Sequence, residues 1–471
     1  MTSKKRVIVM PVPAQGHVKP LMLLSHKLVK HGLRVTFVNT EFNHNKILSG
    51  MGVDDDTAGF GSEIEMVSIP DGLGSMADRT DEDLICDLVW GESILPAEFE
   101  KLITTINNGT GGSPDDIISC VVSDYFLSWP LEIAAKLGVK AAVFFPSAAA
   151  LFLYTMNIPK LIQDGIITSD GKPTKQQMIQ LSSGVPTIDT SKLPWNIGNP
   201  ATQKVVFRGF VNACQSLKMT DWWLCNTSHD IEPLVFSLLP KLLPIGPLMA
   251  SIDNSPLDIP GSQFWAEDSS CLSWLDQHKP HSVIYIAFGS STFHDQVQYH
   301  ELARGLELIG MPFLWVVRPG FILSKQKNGL ELYGFESNSN NNNLGKIVNW
   351  APQQKVLSHP AIACFVSHCG WNSTLEGLSN GVPFLTWPYF ADQFMDESYI
   401  CDIWKVGMKF EPNERGIVTS EEVKNKVDKL LLDKDIRRRS LEFKEMIMKS
   451  ISKDGQSSEN VNNLVKWIKE T

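Results

Sequence analysis

The sequence predicts an α/β protein built from two doubly wound domains, each with a parallel sheet covered by helices. Three observations support this prediction. The chain has 471 residues, more than a single core usually encloses, so two domains are expected. Short β-rich apolar runs alternate with amphipathic segments through the first half, and the same alternation begins again after residue 268. This alternation is typical of βαβ units, which form parallel sheets.

Apolar runs mark the predicted strands of both halves, and amphipathic segments such as LMLLSHKLVKHG separate them. The runs of the first half are RVIVMPV, RVTFVN, IEMVSIP, IISCVVSD, KAAVFFP and WWLCN, and those of the second half are SVIYIAFG, FLWVVRP, KIVNW, ACFVSH, VPFLTW and VGMKF. The first half closes at LLPIGPL, and residues 249–268 are rich in Ser, Pro, Asp and Gly. We therefore predict an N-terminal domain over 1–248, an interdomain linker over 249–268 and a C-terminal domain over 269–455.

Composition and charge argue against several classes of function. The hydrophobic fraction of 43% and the charged fraction of 20% are typical of a globular protein. A net charge of −10 argues against a nucleic-acid partner, because nucleic-acid phosphates attract basic surfaces. The longest apolar stretch, 141–156, is broken by Pro146 and Ser147 and is shorter than the roughly 20 residues that span a membrane. No membrane insertion is therefore expected.

The cysteines and the acidic clusters give no sign of a metal site. Eight cysteines without a CxxC pair predict reduced thiols and a cytoplasmic location. The N-terminal run VIVMPV is too short, and too soon ended by prolines, for a signal peptide. Asp54–Asp56 and Asp81–Asp83 lie in polar segments without a flanking apolar strand, so we interpret them as solvated surface. The low-complexity run SNSNNNN at 337–343 predicts a flexible loop.

One stretch of the second half carries the main functional signal. It runs from Trp350 and reads WAPQQKVLSHPAIACFVSHCGWNSTLEGLSNGVPFLTWPYFADQ. One predicted strand delivers Trp350 at its end, and the next ends at His368. Gly370 permits a tight turn, after which a helix opens with Trp371, Asn372 and Ser373. The free backbone N–H groups and the dipole of such a helix start form an anion site.

Polar residues accompany this anion site. Glu376 follows Ser373 by three residues and so lies on the same helix face. Asp392 and Gln393 lie at a further strand-to-helix junction. An aromatic platform, a phosphate-binding helix start and nearby carboxylates together predict a nucleotide-sugar site.

Two residues of the first half are candidates for acid–base chemistry. His17 follows the first strand where a helix begins, and the helix N-terminus is expected to keep its ring neutral and able to accept a proton. Asp124 follows the fourth strand and can hydrogen-bond the other ring nitrogen. Because ligands bind at the carboxyl ends of parallel strands, both side chains are expected near a crevice. The alternative is that both residues only cap helices.

The stretch from 350 to 393 resembles the signature box of plant family 1 glycosyltransferases, which move a sugar from a UDP-sugar to small acceptors. The matching positions are Trp350, Ala351, Pro352, Gln353, His368, Cys369, Gly370, Trp371, Asn372, Ser373, Glu376, Pro383, Asp392 and Gln393. PAQGHVKP near the start, CVVSDY at 120–125 and IAFGSS at 286–291 extend the likeness. The resemblance implies the GT-B architecture, in which two Rossmann-like domains face each other across a cleft. It also implies that a final helix within 456–471 crosses back to the N-terminal domain.

The resemblance assigns roles to individual residues. His17 matches the general base and Asp124 its supporting carboxylate. Ala351 belongs to the matched donor-binding set, in which Trp350 stacks on uracil, Gln353 and Glu376 hold the ribose, and His368, Asn372, Ser373 and Ser290 contact the phosphates. The positions that correspond to sugar contacts are Trp371, Asp392, Gln393 and Ser147.

These roles imply an inverting transfer without a cofactor or a metal. His17 takes the proton of the acceptor while the acceptor oxygen attacks the anomeric carbon opposite UDP. The helix start meets the charge on the departing diphosphate, so no metal is required. Gln393 and Asp392 together favour UDP-glucose as donor, because Gln at this position commonly accompanies glucose transfer. A monomer with a small lipophilic acceptor is expected.

Two other functions remain open at this point: a nucleotide-sugar epimerase, and a non-catalytic UDP-sugar-binding protein. The signature box disfavours the first, and the presence of both His17 and Asp124 disfavours the second. The sequence leaves the acceptor undetermined among phenols, flavonoids, terpenoids, hormones and carboxylic acids. Candidate aromatic residues for its pocket, each also suited to a core, are Trp90, Phe126, Phe145, Trp195 and Phe207.

Overall fold

The computed structural model describes residues 4–51, 63–72, 94–109, 117–250, 262–290, 292, 295–318 and 344–470. The first sheet is parallel throughout and has the strand order β3-β2-β1-β4-β5-β8-β9. Its strands are β1 (Arg6–Met10), β2 (Arg34–Thr40), β3 (Ile64–Ile69), β4 (Ile118–Asp124), β5 (Lys140–Phe145), β8 (Trp222–Cys225) and β9 (Leu242–Pro244). A separate antiparallel pair consists of β6 (Met178–Ile179) and β7 (Ile188–Asp189).

The second sheet is also parallel and has the order β12-β11-β10-β13-β14-β15. Its strands are β10 (Val283–Ala287), β11 (Phe313–Val316), β12 (Gly345–Val348), β13 (Ile362–Ser367), β14 (Phe384–Thr386) and β15 (Gly407–Lys409). All twelve apolar runs singled out in the sequence therefore form strands. In each sheet the direction of winding reverses once, between β1 and β4 and between β10 and β13.

Helices connect the strands. In the N-terminal half they are α1 (Gln15–Lys30), α2 (Glu41–Met51), α3 (Leu95–Asn108), α4 (Trp129–Leu137), α5 (Ala149–Met156), α6 (Ile158–Gln163), α7 (Pro200–Ser216) and α8 (Pro233–Leu238). In the C-terminal half they are α9 (Ser270–Leu275), α10 (Gln296–Ile309), α11 (Gln353–Ser358), α12 (Trp371–Asn380), α13 (Gln393–Ser398), α14 (Ser420–Leu432), α15 (Lys434–Ile451) and α16 (Gln456–Lys469). A π-helical turn, Tyr399–Ile403, follows α13, and short 3₁₀ turns occupy Thr190–Lys192, Leu217–Met219 and His229–Ile231.

Local sequence sets several helix ends. Asp295 accepts a hydrogen bond from the backbone of Gln298 at the start of α10, and Gly310 ends the same helix with φ of 68°. A left-handed residue at this point favours glycine, because a side chain there would crowd the backbone. The N-terminus of α12 differs, since Gly370 precedes it and no side chain caps it.

The central strands β1, β10 and β13 are buried on both faces, which explains their continuous apolar runs. In β10, Val283 and Tyr285 pack into a core cluster that continues into the N-terminal domain. Ile284 and Ile286 point the other way, into a second cluster on the far face of the sheet. Alternate residues of a strand face opposite sides, so an unbroken apolar run serves both cores.

The last helix, α16, packs against strands of the first sheet. The Nζ of Lys140 donates to the backbone oxygen of Trp467 at 2.7 Å, and the indole ring of Trp467 lies 5.8 Å from that of Trp222. Asn460 and Ser457 donate to backbone oxygens of Pro244 and Gly246, each within 2.8 Å. These contacts join α16 to the first sheet, while the division of the chain at 248, 268 and 455, with its crossing helix, stays a prediction.

Four features named from the sequence lie outside the described residues. They are the acidic clusters Asp54–Asp56 and Asp81–Asp83, the aromatic residue Trp90 and the Asn-rich run 337–343. Most of the predicted linker, 251–261, lies outside them as well.

Candidate active site

The reversal point of the first sheet brings His17 and Asp124 together. Met10 of β1 pairs with Ser123 of β4, so the carboxyl ends of these strands lie side by side. The ring nitrogen Nδ1 of His17 lies 2.7 Å from Oδ2 of Asp124. The other carboxylate oxygen, Oδ1, accepts a hydrogen bond from the backbone N–H of Phe126 at 3.1 Å. With Nδ1 bound to the carboxylate, Nε2 of a neutral His17 is left as the proton acceptor.

The electrostatics of His17 differ from the expectation drawn from its helix position. Asp124 is fully buried, and the His17 side chain is 23% exposed. Burial lowers the pKa of His17, but the charge and hydrogen bond of Asp124, together with the charge of Asp392, outweigh it and raise that pKa above 6.5. The helix N-terminus was expected to disfavour the imidazolium, and the pKa shift has the opposite direction, because a carboxylate in direct contact has a stronger effect than a helix dipole.

The reversal point of the second sheet prepares an anion site. Ala287 of β10 pairs with Ser367 of β13, which places Ser290 and His368 beyond adjacent strand ends. Cys369 has a φ of 67°, an unusual backbone conformation for a residue with a side chain. This turn aims the uncapped start of α12 at the cleft. Asn372 of that helix donates to the backbone oxygen of Gly16 at 2.8 Å, so the two domains touch at this point.

Two glycines leave room for the ring of His368. A Cβ atom at Gly289 would lie 2.5 Å from Nε2 of His368, and one at Gly370 would lie 2.6 Å from it. Burial lowers the pKa of His368 to about 4, although a hydrogen bond with the backbone of Ala287 opposes the shift. A neutral ring is therefore present at neutral pH, and because it has a single N–H, it can donate to a phosphate oxygen only when that N–H is not bonded to Ala287.

A hydrogen-bonded network surrounds Glu376, whose side chain is 1% exposed. Gln353 donates through Nε2 to Oε2 of Glu376 at 2.5 Å and to the hydroxyl of Ser373 at 2.8 Å. Its amide oxygen accepts from the hydroxyl of Tyr285 at 3.1 Å. Lys19 of the N-terminal domain donates to Oε1 of Glu376 at 2.7 Å. These contacts hold the Glu376 carboxylate and the Gln353 amide in fixed positions in the cleft.

Trp350, the aromatic platform, packs against a second tryptophan and is hydrogen-bonded through its indole N–H. The rings of Trp350 and Trp265 have centroids 4.7 Å apart at an angle of 32°. The indole N–H of Trp350 donates to Oε1 of Gln263 at 3.3 Å, and Gln263 also accepts from the side chain of Gln15. Ala351, which follows the platform, is 4% exposed. The linker residues thus orient the ring that is expected to contact the base.

Four residues occupy the end of the cleft nearest His17. Burial raises the pKa of Asp392, while a hydrogen bond from Ser147 and the charge of His17 oppose the rise. The side-chain oxygen of Gln393 accepts from the backbone N–H groups of Tyr389 at 2.8 Å and Phe390 at 3.3 Å. Both lone pairs of that oxygen are then used, so Gln393 can only donate to a sugar, whereas the sequence suggested that it would both donate and accept. Trp371 donates through its indole N–H to the backbone of Asn226 at 2.8 Å.

One cleft of about 410 Å³ unites these features. It is lined by every site residue predicted from the sequence except Asp124, which lies behind His17: His17, Ser147, Ser290, Trp350, Ala351, Gln353, His368, Trp371, Asn372, Ser373, Glu376, Asp392 and Gln393. A cleft of this size is suited to a small molecule. Within the described residues, no group of three or more His, Cys, Asp or Glu side chains is placed to hold a metal ion.

The acceptor side of the cleft corrects part of the aromatic prediction. Phe126 lines it, as proposed. Phe145, Trp195 and Phe207 do not line it and instead pack among other aromatic rings in the core. The apolar wall is formed instead by Leu151, Pro194, Ile197, Val206 and Phe210. The spacing of Val206 and Phe210, one turn apart on α7, is the sequence signal that could have found part of this wall.

Sequence comparison places this geometry in a known family. The family model "UDP-glucoronosyl and UDP-glucosyl transferase" matches residues 238–469. UDP-glycosyltransferase 83A1 of Arabidopsis thaliana is 44% identical over 99% of this chain and 97% of its own length. The chain belongs to the plant family 1 UDP-glycosyltransferases. A 7-deoxyloganetin glucosyltransferase of Catharanthus roseus is 31% identical to the transferase, over 99% of this chain and 97% of the relative.

Solved structures confirm the GT-B architecture of the transferase. Os79 from O. sativa, solved in complex with UDP, aligns with a TM-score of 0.77 and 26% identity, covering 98% of this chain and 100% of that one. A UDP-glucosyltransferase from Polygonum tinctorium aligns with a TM-score of 0.78 at 24% identity, covering 100% of both chains, and supports the fold alone. The transferase is thus an enzyme that uses a UDP-sugar, and the epimerase and binding-protein alternatives give way to this class. No helix in the described part of the chain is long and apolar enough to cross a membrane.

Proposed function

We propose that the transferase moves glucose from UDP-glucose to a hydroxyl or carboxyl group of a small lipophilic acceptor, with inversion at the anomeric carbon. The observation that carries this proposal is the convergence of a His–Asp pair and an uncapped helix N-terminus on one cleft. The pair supplies a base on one side, and the helix start supplies an anion site on the other.

In the proposed reaction, Nε2 of His17 accepts the acceptor's hydroxyl proton as the acceptor oxygen forms a bond to the anomeric carbon. The bond between that carbon and the UDP oxygen breaks, and its electron pair leaves with UDP. The buried Asp124 carboxylate stabilises the imidazolium that results. His368, Ser290 and the backbone N–H groups at Asn372 and Ser373 are placed to meet the charge that develops on the diphosphate.

The remaining contacts divide the donor into base, ribose and hexose. Trp350, supported by Trp265, is the stacking platform for uracil. Gln353 and Glu376 hold the ribose, and Ala351 and Trp371 close the pocket around the nucleotide and the sugar. The NH₂ group of Gln393 donates to a hexose hydroxyl, and Asp392 accepts from its neighbours. Ser147 supports Asp392 from the N-terminal domain.

Glucose is the proposed sugar because the hydrogen-bond donor of Gln393 and the hydrogen-bond acceptor of Asp392, side by side, match a fixed pattern of sugar hydroxyl groups. The name of the 31% identical relative, a 7-deoxyloganetin glucosyltransferase, supports the same choice. The complex of Os79 with UDP supports a site for the nucleotide in this fold. For the acceptor, the wall of Phe126, Leu151, Val206 and Phe210 favours an apolar molecule.

The oligomeric state and the cellular location of the enzyme are also proposals. A monomer suffices, because both halves of the cleft come from one chain. The cytoplasm suits the cysteines of the described ranges, which are free thiols. No metal is needed for the step as written, because the helix start and neutral donors meet the leaving-group charge.

The proposal is tested by incubating the purified enzyme with labelled UDP-glucose and a panel of phenols, flavonoids, terpenoids and carboxylic acids, with products identified by mass spectrometry. The expected product is a β-glucoside, since inversion of an α-linked donor gives the β anomer. UDP-galactose and UDP-glucuronate are added as competitors and should be poorer donors in kcat/KM. A retained α configuration would contradict the mechanism, and preferred transfer from UDP-galactose would contradict the donor assignment.

A further inference from the structure

Lys19 is a cation inside the donor cleft that the proposed reaction does not use. It lies on α1, two residues after His17, and its Nζ is 2.7 Å from Oε1 of Glu376 on α12. The ion pair crosses from one domain to the other. The Lys19 side chain is 18% exposed and that of Glu376 is 1% exposed. The contact is therefore shielded from solvent, unlike a surface salt bridge.

The pair is one of two contacts that hold α1 and α12 side by side. Gly16 accepts from Asn372 at 2.8 Å, and one turn further along each helix Lys19 donates to Glu376. On α12, one helical turn separates Asn372 at the helix start from the buried Glu376. On α1, one turn likewise separates their partners, Gly16 and Lys19. The spacing fixes how the start of α12 faces the N-terminal domain.

Glu376 needs a cationic partner because a buried carboxylate without one is strongly destabilised. Gln353 satisfies one oxygen, Oε2, and Lys19 satisfies the other. A carboxylate has about four lone-pair positions, so two remain for further donors. Those positions face a cleft that both Lys19 and Glu376 line.

We propose that Lys19 is a positioning residue for the donor: it neutralises the buried Glu376 carboxylate and holds it so that its remaining lone pairs accept the ribose hydroxyls. The inference rests on the proposed ribose-binding role of Glu376. Lys19 thereby links donor binding to the contact between the domains, because the cation and the carboxylate come from opposite sides of the cleft.

Two other roles for Lys19 give different results. A direct contact with the diphosphate would strengthen binding of UDP and leave uridine unaffected. If Lys19 competed with the ribose for Glu376, it would weaken the binding of UDP and of uridine. Removing Lys19 would then tighten the binding of both. If Lys19 acts through Glu376, it strengthens the binding of both UDP and uridine, because both contain the ribose.

The test measures UDP and uridine affinity by calorimetry, and donor KM and kcat, for the wild type, Lys19→Met, Lys19→Arg and Lys30→Met. Lys30 is an exposed lysine on the last turn of the same helix and serves as the matched control. Lys19→Met should weaken the binding of UDP and of uridine by the same factor, about tenfold, and raise the KM for the donor equally. Its kcat should stay within about threefold of the wild-type value. Lys19→Arg should recover affinity to within about threefold, since it restores the charge, and Lys30→Met should bind as the wild type does.

A double-mutant cycle with Glu376→Gln decides whether the effect passes through the carboxylate. In the Glu376→Gln background, Lys19→Met should change UDP affinity by about twofold or less. An equal loss in both backgrounds, a loss confined to UDP, or tighter binding in Lys19→Met would each overturn the proposal. Lys19→Gln provides a second uncharged variant if Lys19→Met does not fold.

The outcomes also separate this inference from the proposed function. A wild-type protein that binds no UDP and transfers no sugar would refute the proposed function itself. A Glu376→Gln variant that binds UDP as well as the wild type would refute the ribose-binding role. Weak binding in Glu376→Gln with normal binding in Lys19→Met would refute the role of Lys19 alone.

Discussion

Replacing Asp124 by Asn should damage catalysis more than replacing it by Ala. The reason is the way in which the two carboxylate oxygens are used. Oδ1 accepts from the backbone N–H of Phe126 at 3.1 Å, and Oδ2 bonds to Nδ1 of His17 at 2.7 Å. In Asp124→Asn the amide oxygen must stay toward Phe126, because an NH₂ group cannot accept a hydrogen bond. The NH₂ group then faces His17, whose Nδ1 must become the acceptor.

The expected magnitudes follow from this switch of tautomer. With the proton on Nε2, His17 has no lone pair toward the acceptor, and in a Ser-His-Asp triad the same change lowers kcat by about 10⁴-fold. Asp124→Ala removes only a charge-assisted hydrogen bond, worth about 1.5–3 kcal/mol, and leaves both tautomers accessible. We therefore expect a loss of roughly 10- to 100-fold for Ala and about 10³-fold or more for Asn.

The assay is kcat and kcat/KM with an alcohol acceptor, recorded from acid to alkaline pH. Catalysis needs neutral His17, so the wild-type rate rises with pH through a pKa that Asp124 raises above 6.5. In Asp124→Ala the carboxylate that raises the pKa of His17 is lost, while burial still lowers it. The rising limb of the pH–rate profile should therefore move to lower pH. UDP affinity is the control and should change less than twofold. An Asn variant as active as the Ala variant, or an unmoved limb, would refute the reasoning.

Three further substitutions test the other parts of the site. His17→Ala should lower kcat by about 10²- to 10⁴-fold in a turnover assay, because the general base is lost while the donor pocket is intact. Glu376→Ala should weaken UDP by about tenfold or more in calorimetry, because charge-assisted bonds to the ribose are lost. Gln393→Ala should lower kcat/KM for UDP-glucose more than UDP affinity, and competition assays should show reduced preference over UDP-galactose.

Each substitution has a matched control on an exposed part of the chain: His31→Ala, Glu445→Ala and Gln456→Ala, all expected to behave as the wild type. Normal turnover in His17→Ala would remove it from the role of base. Unchanged UDP affinity in Glu376→Ala would show that the carboxylate does not reach the ribose. An unaltered donor preference in Gln393→Ala would leave sugar selection to other residues.

The sequence predicts the sheets well because parallel strands buried on both faces leave a strong local pattern. The runs at β1 and β10 are continuous and apolar, and each is followed by a helix. The antiparallel pair of Met178–Ile179 and Ile188–Asp189 was not foreseen, since two-residue strands carry too little pattern. Site residues that follow strand ends could also be placed, because the carboxyl ends of parallel strands meet at one edge.

Contacts between the domains could not be predicted, because they depend on how two separately wound sheets are oriented. Lys19 lies in PAQGHVKP and Gln263 in the predicted linker, but neither stretch indicates that each side chain contacts a predicted donor residue of the second half. The aromatic candidates, each also suited to a core, could not be told apart for a related reason. Phe207 and Phe210 are one turn apart on α7 and both pack against Trp195, yet only Phe210 lines the cleft.

Asp392 joins the two halves of the proposed chemistry. It lies on the donor domain, yet its charge contributes to the raised pKa of His17 on the acceptor domain, and Ser147 of that domain hydrogen-bonds to it. A residue proposed to bind the hexose therefore also raises the basicity of His17, the proposed acceptor of the proton. Because Asp392 and His17 come from different domains and line one cleft, this contribution to the raised pKa of His17 depends on how the two domains face each other. Proton transfer and donor positioning are thereby coupled through one carboxylate.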